Sequence, residues 1–265
     1  AMKQLWMDWQ LFAEGEPLYQ VVAFKMKHII RTPEQLAAAI YDSYSKGYNP
    51  DDGTTVKGRK NMGDYEWVNR PGTTKAVVNG EEVEQINSED KFVIGYSVPH
   101  STGGFSNTFR YKGLSLNVYL DWAIGHTIRH AQMARQFINT FTGNTALNAG
   151  VLDTWSPQNP DAKYARFYSG GESVSANFKN DSDVFAFKGD YLCIRELSLA
   201  WDLPKKFVSK LGMQGASITL AGNNLHYFTA VPGVSPEVGT MSTNAAGYNN
   251  YPPIRRISLG IKVIF

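Results

Sequence analysis

Leu114-Ser115-Leu116-Asn117-Val118-Tyr119-Leu120-Asp121-Trp122-Ala123-Ile124-Gly125 is the stretch on which the fold turns. Its even positions are all large and apolar, and its odd positions are Ser, Asn, Tyr, Asp, Ala and Gly. Successive side chains of a strand point to opposite faces, so this pattern predicts a strand with one greasy and one polar face. Twelve alternating residues are long for a soluble protein. Soluble strands run about 5–6 residues, whereas a tilted strand crossing a bilayer needs about 9–11.

The pattern extends in both directions. Just upstream, Phe105, Phe109 and Tyr111 alternate with Ser106, Thr108, Arg110 and Lys112, and Gly113 supplies a tight hairpin. Downstream, Leu197, Leu199, Trp201 and Leu203 oppose Glu196, Ser198, Ala200 and Asp202, and Ile218 and Leu220 head a strand running to about Phe228. At the C-terminus, Ile257, Leu259, Ile261, Val263 and Phe265 form one apolar series, with Ser258, Gly260 and Lys262 between them. Near the start, Leu18, Val22, Phe24 and Met26 face away from Lys25 and Lys27. Six strands are expected, over 18–29, 104–112, 114–125, 190–203, 215–228 and 255–265. Their connections run long, tight, long, short and fairly long, the alternation of a barrel with short turns on one side of a membrane and long loops on the other. The expected fold is all-β: an antiparallel transmembrane β-barrel segment of about six strands of a larger barrel, with long extracellular loops containing short helices. Val118, Leu120, Trp122, Leu197, Leu199, Trp201, Ile218, Leu220, Leu259, Ile261 and Val263 should face lipid. Asn117, Asp121, Ser198, Asp202, Ser258 and Lys262 should face the lumen. By parity Arg195 joins the outer face, where it should sit above the hydrocarbon near lipid phosphates. The strands at 18–29 and 255–265 should each leave an edge for the rest of the barrel.

Helical signals fall between strands. Thr32 caps and Pro33 opens a helix through Gln35-Leu36-Ala37-Ala38-Ala39-Ile40. Residues 129–141 have helical composition, and 205–211 form a short helix ended by Gly212. Residues 233–253, rich in Gly, Asn, Ser and Pro, read as loop.

Composition narrows the class. The chain of 265 residues carries 26 Lys+Arg against 24 Asp+Glu, giving no electrostatic case for nucleic acid. One cysteine, Cys193, rules out an intrachain disulfide and a cysteine metal cluster. No apolar run is long enough for a transmembrane helix, and Ala1-Met2-Lys3-Gln4-Leu5-Trp6 lacks a signal-peptide core. The 14 Tyr, 14 Phe and 6 Trp suit the aromatic girdles of a membrane barrel or a carbohydrate-binding surface.

Several segments resemble one family in order along nearly the whole chain. Gly189-Asp190-Tyr191-Leu192-Cys193-Ile194-Arg195-Glu196-Leu197-Ser198-Leu199-Ala200-Trp201-Asp202-Leu203-Pro204-Lys205-Lys206 is similar to its G-S-Y-L-R-L-K-N-V-T-L-G-Y-T-L-P-K segment. Ala221-Gly222-Asn223-Asn224-Leu225 resembles its S-G-Q-N-L, and Ser235-Pro236-Glu237-Val238 its D-P-E. Trp155-Ser156-Pro157-Gln158-Asn159-Pro160 through Tyr164 and Arg166 resembles W-T-P-E-N-P…Y-P-R, and Glu14-Gly15-Glu16-Pro17 resembles E-G-x-P. The family is the SusC/RagA group of TonB-dependent transporters. The resemblance implies that residues 1–265 are the C-terminal portion of a barrel of about 22 strands, the plug and N-terminal strands lying outside them. It also implies a SusD-like surface lipoprotein as lid, the TonB complex as energy source, outer-membrane lipid around the wall, and an oligomeric cargo, usually glycan and sometimes peptide. The family's acidic D-L-N-G-D-G after Gly63-Asp64 is absent, Trp67-Val68-Asn69-Arg70-Pro71-Gly72 standing nearby instead, so no metal site is carried over.

No catalytic constellation emerges. His126 and His130 have the i, i+4 spacing of a helical zinc pair but lack the Glu of H-E-x-x-H, and two loop histidines is the plainer reading. Asp51-Asp52-Gly53 is a turn signal, and Asn180-Asp181-Ser182 a three-letter glycosylation match. Cys193 reads as a small apolar residue, and no cofactor motif appears. Trp155, Tyr164, Arg166, Phe167 and Tyr168 are the candidate substrate-binding residues, mixing stacking surfaces with a hydrogen-bonding cation. The alternative for them is packing of the loops, as it is for Trp67. Two other classes compete: a soluble carbohydrate-binding β-sandwich, and an outer-membrane hydrolase built on a barrel. The twelve-residue alternation and the terminal Phe265 favour the barrel, and no nucleophile with its base favours the hydrolase.

Overall fold

Many short strands precede the first long one, because Gly, Pro and Asn punctuate that part of the chain at close intervals. The computed structural model describes residues 4–7, 10–48, 54–138, 149–168, 177–178, 181–237 and 253–265. In chain order come β1 (Gln4–Met7), β2 (Gln10–Ala13), β3 (Gln20–Phe24), β4 (Met26–Ile29), α1 (Pro33–Ala37), β5 (Tyr41–Tyr48), β6 (Thr55–Gly58), β7 (Tyr65–Trp67), β8 (Ala76–Val78), β9 (Glu81–Val83), β10 (Gln85–Ile86) and β11 (Lys91–Tyr96). Then follow β12 (Ser101–Tyr111), β13 (Leu114–Ile124), β14 (Thr127–Arg129), α2 (Ala131–Ile138), β15 (Ala186–Lys188), β16 (Tyr191–Asp202), α3 (Lys205–Val208), β17 (Gly215–Thr229) and β18 (Arg256–Ile264).

The long strands make one antiparallel sheet in the order β12-β13-β16-β17-β18, here called the wall. Its register aligns the apolar series into rows that cross all five strands. One row is Phe109, Leu116, Leu199, Leu220 and Leu259, and the next is Tyr111, Leu114, Trp201, Ile218 and Ile261. The row between them is Arg110, Ser115, Ala200, Thr219 and Gly260; on the far side of the first lies Thr108, Asn117, Ser198, Ala221 and Ser258, and Asp202, Ser217 and Lys262 share another polar row. The apolar face is bare: Phe109 is 56% exposed, Leu199 45%, Leu220 50% and Leu259 69%. A face this large and greasy needs an apolar surrounding. Strand β13 climbs ten steps of about 3.4 Å, and at a tilt of about 40° this gives roughly 26 Å of height, the size of a barrel's lipid-facing band. Trp201 and Tyr111 lie toward one end of that face and Trp122 and Phe228 toward the other, the placement of interfacial girdles. The expected inner and outer residues therefore separate as alternation dictates, Arg195 excepted.

Turns at the two ends differ. Lys112 (φ 45°) and Gly113 (φ 83°) both take positive φ and close a two-residue hairpin between β12 and β13. At the same end α3 and a following 3-10 turn connect β16 to β17, ended by Gly212 at φ 74°, so the expected helix at 205–211 is present. The long connections all leave the opposite end. The helix expected after Thr32 forms as α1, its cap completed by Gln35 in a capping box. That expected at 129–141 is α2, with 139–141 outside the described residues.

The expected barrel strand at 18–29 is a correction. It is split into β3 and β4, and neither joins the wall: β3 pairs with β11, β4 with β7. Val21, Val22, Ala23 and Phe24 are all at most 2% exposed. A strand buried on both faces reads as a continuous apolar run, as Val21-Val22-Ala23-Phe24 does, and not as alternation. The wall therefore has five strands among the described residues, and its open edges are β12 and β18.

Candidate functional site

The long connections at the open end of the wall pack into one loop module. Its core holds Phe24, Ile29, Tyr65, Trp67 and Ile86 from the segment that leads into β12, with Met133, Phe137, Trp155, Tyr164, Phe178 and Phe185 from the connection between β13 and β16. Polar stitches run between the two: Phe24 N donates to Asp181 O at 2.9 Å, Arg31 Nη2 to Ala162 O at 2.8 Å, and Arg166 N to Gly63 O at 2.7 Å. Apolar side chains that cannot be buried against the wall are buried against each other, which gives the loops a core of their own.

The five candidate binding residues divide within this module. Trp155 and Tyr164 are each 7% exposed and belong to the core. The Trp155 ring lies on Gly63, whose φ of +90° and missing side chain make room for it, and Tyr164 packs on Phe137 at 4.7 Å between ring centroids. Trp67, also weighed as a stacking residue, is 1% exposed. Arg166, Phe167 and Tyr168 are half-buried. The Arg166 guanidinium lies 5.0 Å over the Tyr168 ring, and Phe167 packs at the margin of the core. Tyr168 Oη donates to Asp64 Oδ1 at 3.0 Å. Asp64 also accepts from Asn177 Nδ2 at 2.9 Å and Asn61 N at 2.7 Å. Burial pushes the Asp64 carboxyl and the Tyr168 phenol upward. Gly63-Asp64 and the segment 155–168 are thus two halves of one staple.

His126 and His130 do not share a helix face, because β14 lies between them. His130 instead caps α2: its Nδ1 accepts from Met133 N at 3.1 Å, and its Nε2 faces Pro232 O at 3.0 Å. That arrangement needs a neutral ring, and burial lowers the pKa of both histidines. Asp51-Asp52-Gly53 and Asn180 lie outside the described residues.

The most concentrated chemistry sits on the polar face of the wall near its loop end, around Arg195, and parity misplaced it. Tyr119 pairs with Glu196 but Leu120 pairs with Ile194, so Arg195 is the extra residue of a bulge. On the other side Ile194 pairs with His226 and Glu196 with Asn223, a second shift, where Asn224 takes φ 51°. The bulge turns Arg195 from the lipid face to the polar face. Its Nε and Nη2 donate to Asp121 Oδ1 and Oδ2 at 2.9 and 2.7 Å, a bidentate pair. Its Nη1 donates to Asn224 Oδ1 at 2.8 Å and Tyr227 Oη at 3.3 Å, and Nη2 also meets Glu237. Cys193 lies beside them, fully buried with a free thiol. The sequence did carry a signal for this site: an Arg within the apolar parity series of one strand, and an Asp in the neighbouring one.

An antiparallel sheet with one bare apolar face, a polar opposite face crowned by a charge cluster, and open edges is a piece of a transmembrane β-barrel wall. Comparison with known proteins gives the same class. No protein-family model matches the chain. It is 24% identical over 264 residues to TonB-dependent receptor P3 of Formosa agariphila, covering 97% of this chain and 23% of the relative. It is 31% identical over 197 residues to TonB-dependent receptor P26 of the same organism, covering 71% of this chain and 19% of the relative. The chain thus spans about a fifth to a quarter of these curated relatives. Among solved structures it resembles the RagAB peptide transporter, with a TM-score of 0.66 at 18% identity, covering 99% of this chain and 24% of that one. It also matches the RagAB peptide importer in the open-open state, at a TM-score of 0.62. At that identity these two likenesses speak for the fold alone. The sequence likeness is to TonB-dependent receptors, which are outer-membrane β-barrel proteins, and the SusC/RagA resemblance read from the sequence agrees with the fold of the RagAB structures.

Proposed function

We propose that residues 1–265 form the C-terminal portion of an outer-membrane active importer of oligomeric nutrients, the plug and N-terminal strands being supplied by the rest of the polypeptide. The observation that carries this reading is the wall: among the described residues, five long antiparallel strands with a continuous apolar face and two unpaired edges. In hydrocarbon each unpaired edge group costs several kcal/mol, so β12 and β18 must be met by further strands. The short-turn end then faces the periplasm and the loop module the exterior, where a SusD-like lipoprotein lid covers it. TonB supplies the energy through the plug. Trp155 and Tyr164 hold the loop module together, and cargo contact falls to the half-exposed Arg166, Phe167 and Tyr168. Glycan oligomers are the first cargo class and peptides the second, the latter supported by the name of the RagAB transporter. The test is uptake of fluorescent glycan and peptide oligomers by cells carrying the whole transporter, with and without its gene and with the proton gradient collapsed. Gene-dependent, energy-dependent uptake of one class is expected. Uptake of neither class, or uptake indifferent to the gradient, would overturn the reading.

A further inference from the structure

The Arg195 cluster joins more than the wall. Asp121, Asn224 and Tyr227 come from wall strands, but Glu237 belongs to the outgoing stem of the last long connection. Asn224, held through its Oδ1 by Arg195, donates from Nδ2 to Ile254 O at 3.1 Å, and Ile254 lies on the returning stem. One guanidinium is thus bonded to one stem directly and to the other through a single amide. The five N–H groups of an arginine form a planar fork, and here Asp121, Asn224, Tyr227 and Glu237 are disposed around that fork. The two bulges are what place it there, since bulges re-aim a side chain at a functional point of a sheet. Asn224 reaches its own position through a left-handed backbone that Asn tolerates better than most residues.

We propose that Arg195 is a positioning residue that clamps both stems of the connection between β17 and β18 onto the polar face of the wall. Asp121 is the fixed anchor, bonded bidentately from the neighbouring strand. Glu237 is the releasable half, since Asp121 already neutralises the arginine and the carboxylates of Asp121 and Glu237 lie within 4.8 Å of the Cys193 thiol and of each other. The outgoing stem has further anchors in Val231, packed on Ile128, and Pro232 O, facing His130. The returning stem hangs on Asn224. The clamp therefore acts unequally, and its parts are separable by mutation.

Native-state hydrogen exchange on the whole transporter in detergent tests this. Arg195→Met is expected to raise exchange at least ten-fold in both 231–237 and 253–256, with Leu199, Leu220 and Leu259 in the wall unchanged. Asn224→Ala should loosen only 253–256, and Glu237→Gln only the residues near 237. Arg195→Lys keeps the charge but not the fork, so it should restore one stem at most. If Arg195→Met left both stems within two-fold of the parent, the clamp would be refuted. Equal loosening of the wall rows would assign Arg195 to the stability of the sheet instead, and full rescue by lysine would show that charge alone suffices.

Discussion

Replacing Gly63 by alanine isolates the staple that folds the loop module. Gly63 sits at φ +90°, and a Cβ there would lie 2.1 Å from Trp155 Cε3, 2.6 Å from Trp155 Cδ2 and 2.9 Å from Arg166 Cβ. Two costs follow. The left-handed backbone costs a residue with a Cβ about 1–2 kcal/mol, and overpacking a well-filled site costs about 1–3 kcal/mol. Gly63→Ala should therefore destabilise the staple by roughly 2–5 kcal/mol. The two costs separate in a cycle with Trp155→Leu, which removes the ring that the new methyl strikes. In the double variant the backbone cost stays and the steric one goes, a coupling of about 1–3 kcal/mol. Hydrogen exchange on the purified transporter reads this out, because local unfolding is measured segment by segment. The reporters are Trp155 N bonded to Tyr164 O at 2.8 Å, Tyr164 N to Asp153 O at 3.1 Å and Arg166 N to Gly63 O at 2.7 Å. Their exchange should rise by roughly 30-fold or more, the equivalent of about 2 kcal/mol, while the wall rows stay protected. A change under three-fold, or strict additivity with Trp155→Leu, would refute the staple.

Three further outcomes are expected. Leu197→Arg, midway up the apolar face, should cost about 2–4 kcal/mol of folding into vesicles, whereas Ser258→Arg on the polar face should leave folding efficiency unchanged; equal effects would reverse the assignment of faces. Lys60→Met removes the cation that lies 2.9 Å from Glu66 and 3.9 Å from Asp42, all three buried, so the loop module should lose about 3–5 kcal/mol; exchange in 41–47 and 65–67 checks it. His126 and His130 are held neutral in the fold with depressed pKa values, against 6.5 when unfolded. Below 6.5 the unfolded chain binds more protons, so module stability should be flat above about pH 6.5 and fall as pH drops below it, by about 1.4 kcal/mol per unit of depression; exchange in 126–137 that is unchanged between pH 7.5 and 5.5 would contradict this.

The wall was legible because lipid and lumen impose opposite demands on alternate residues, and a two-residue period survives in the sequence wherever both demands act. Leu114, Leu116, Val118 and Leu120 record it directly. Where burial acts on both sides the period vanishes, which is why Val21-Val22-Ala23-Phe24 resembles a wall strand only through its flanks. Among the loop candidates, sequence identified the right segment but not the direction its rings face. Trp155 and Tyr164 carry the same aromatic surface whether it meets a sugar or Phe137. The partner that settles the matter, Gly63, lies 92 positions from Trp155 and is conspicuous only through a backbone angle.

Arg195 shows how a failure of the periodic rule carries information. Read in strict alternation, it would lie in the lipid-facing series with Leu197 and Leu199, where a cation at mid-depth costs about 2–4 kcal/mol. An inserted residue removes that cost by shifting the phase of the strand, and it leaves the donors of the side chain facing inward with partners to find. Asp121, three residues from the loop end of β13 in the same inward series, is such a partner. A charged residue that breaks the apolar series of a barrel strand, with an opposite charge at matching height on the neighbour, therefore marks a bulge. Because a bulge interrupts ladder bonding, it is tolerated best near the end of a strand, where the ladder is about to give way to loop. The same placement that spares the sheet brings the guanidinium within reach of Glu237. Clamping the connection is in this sense a consequence of where an arginine can stand in a wall that must face lipid.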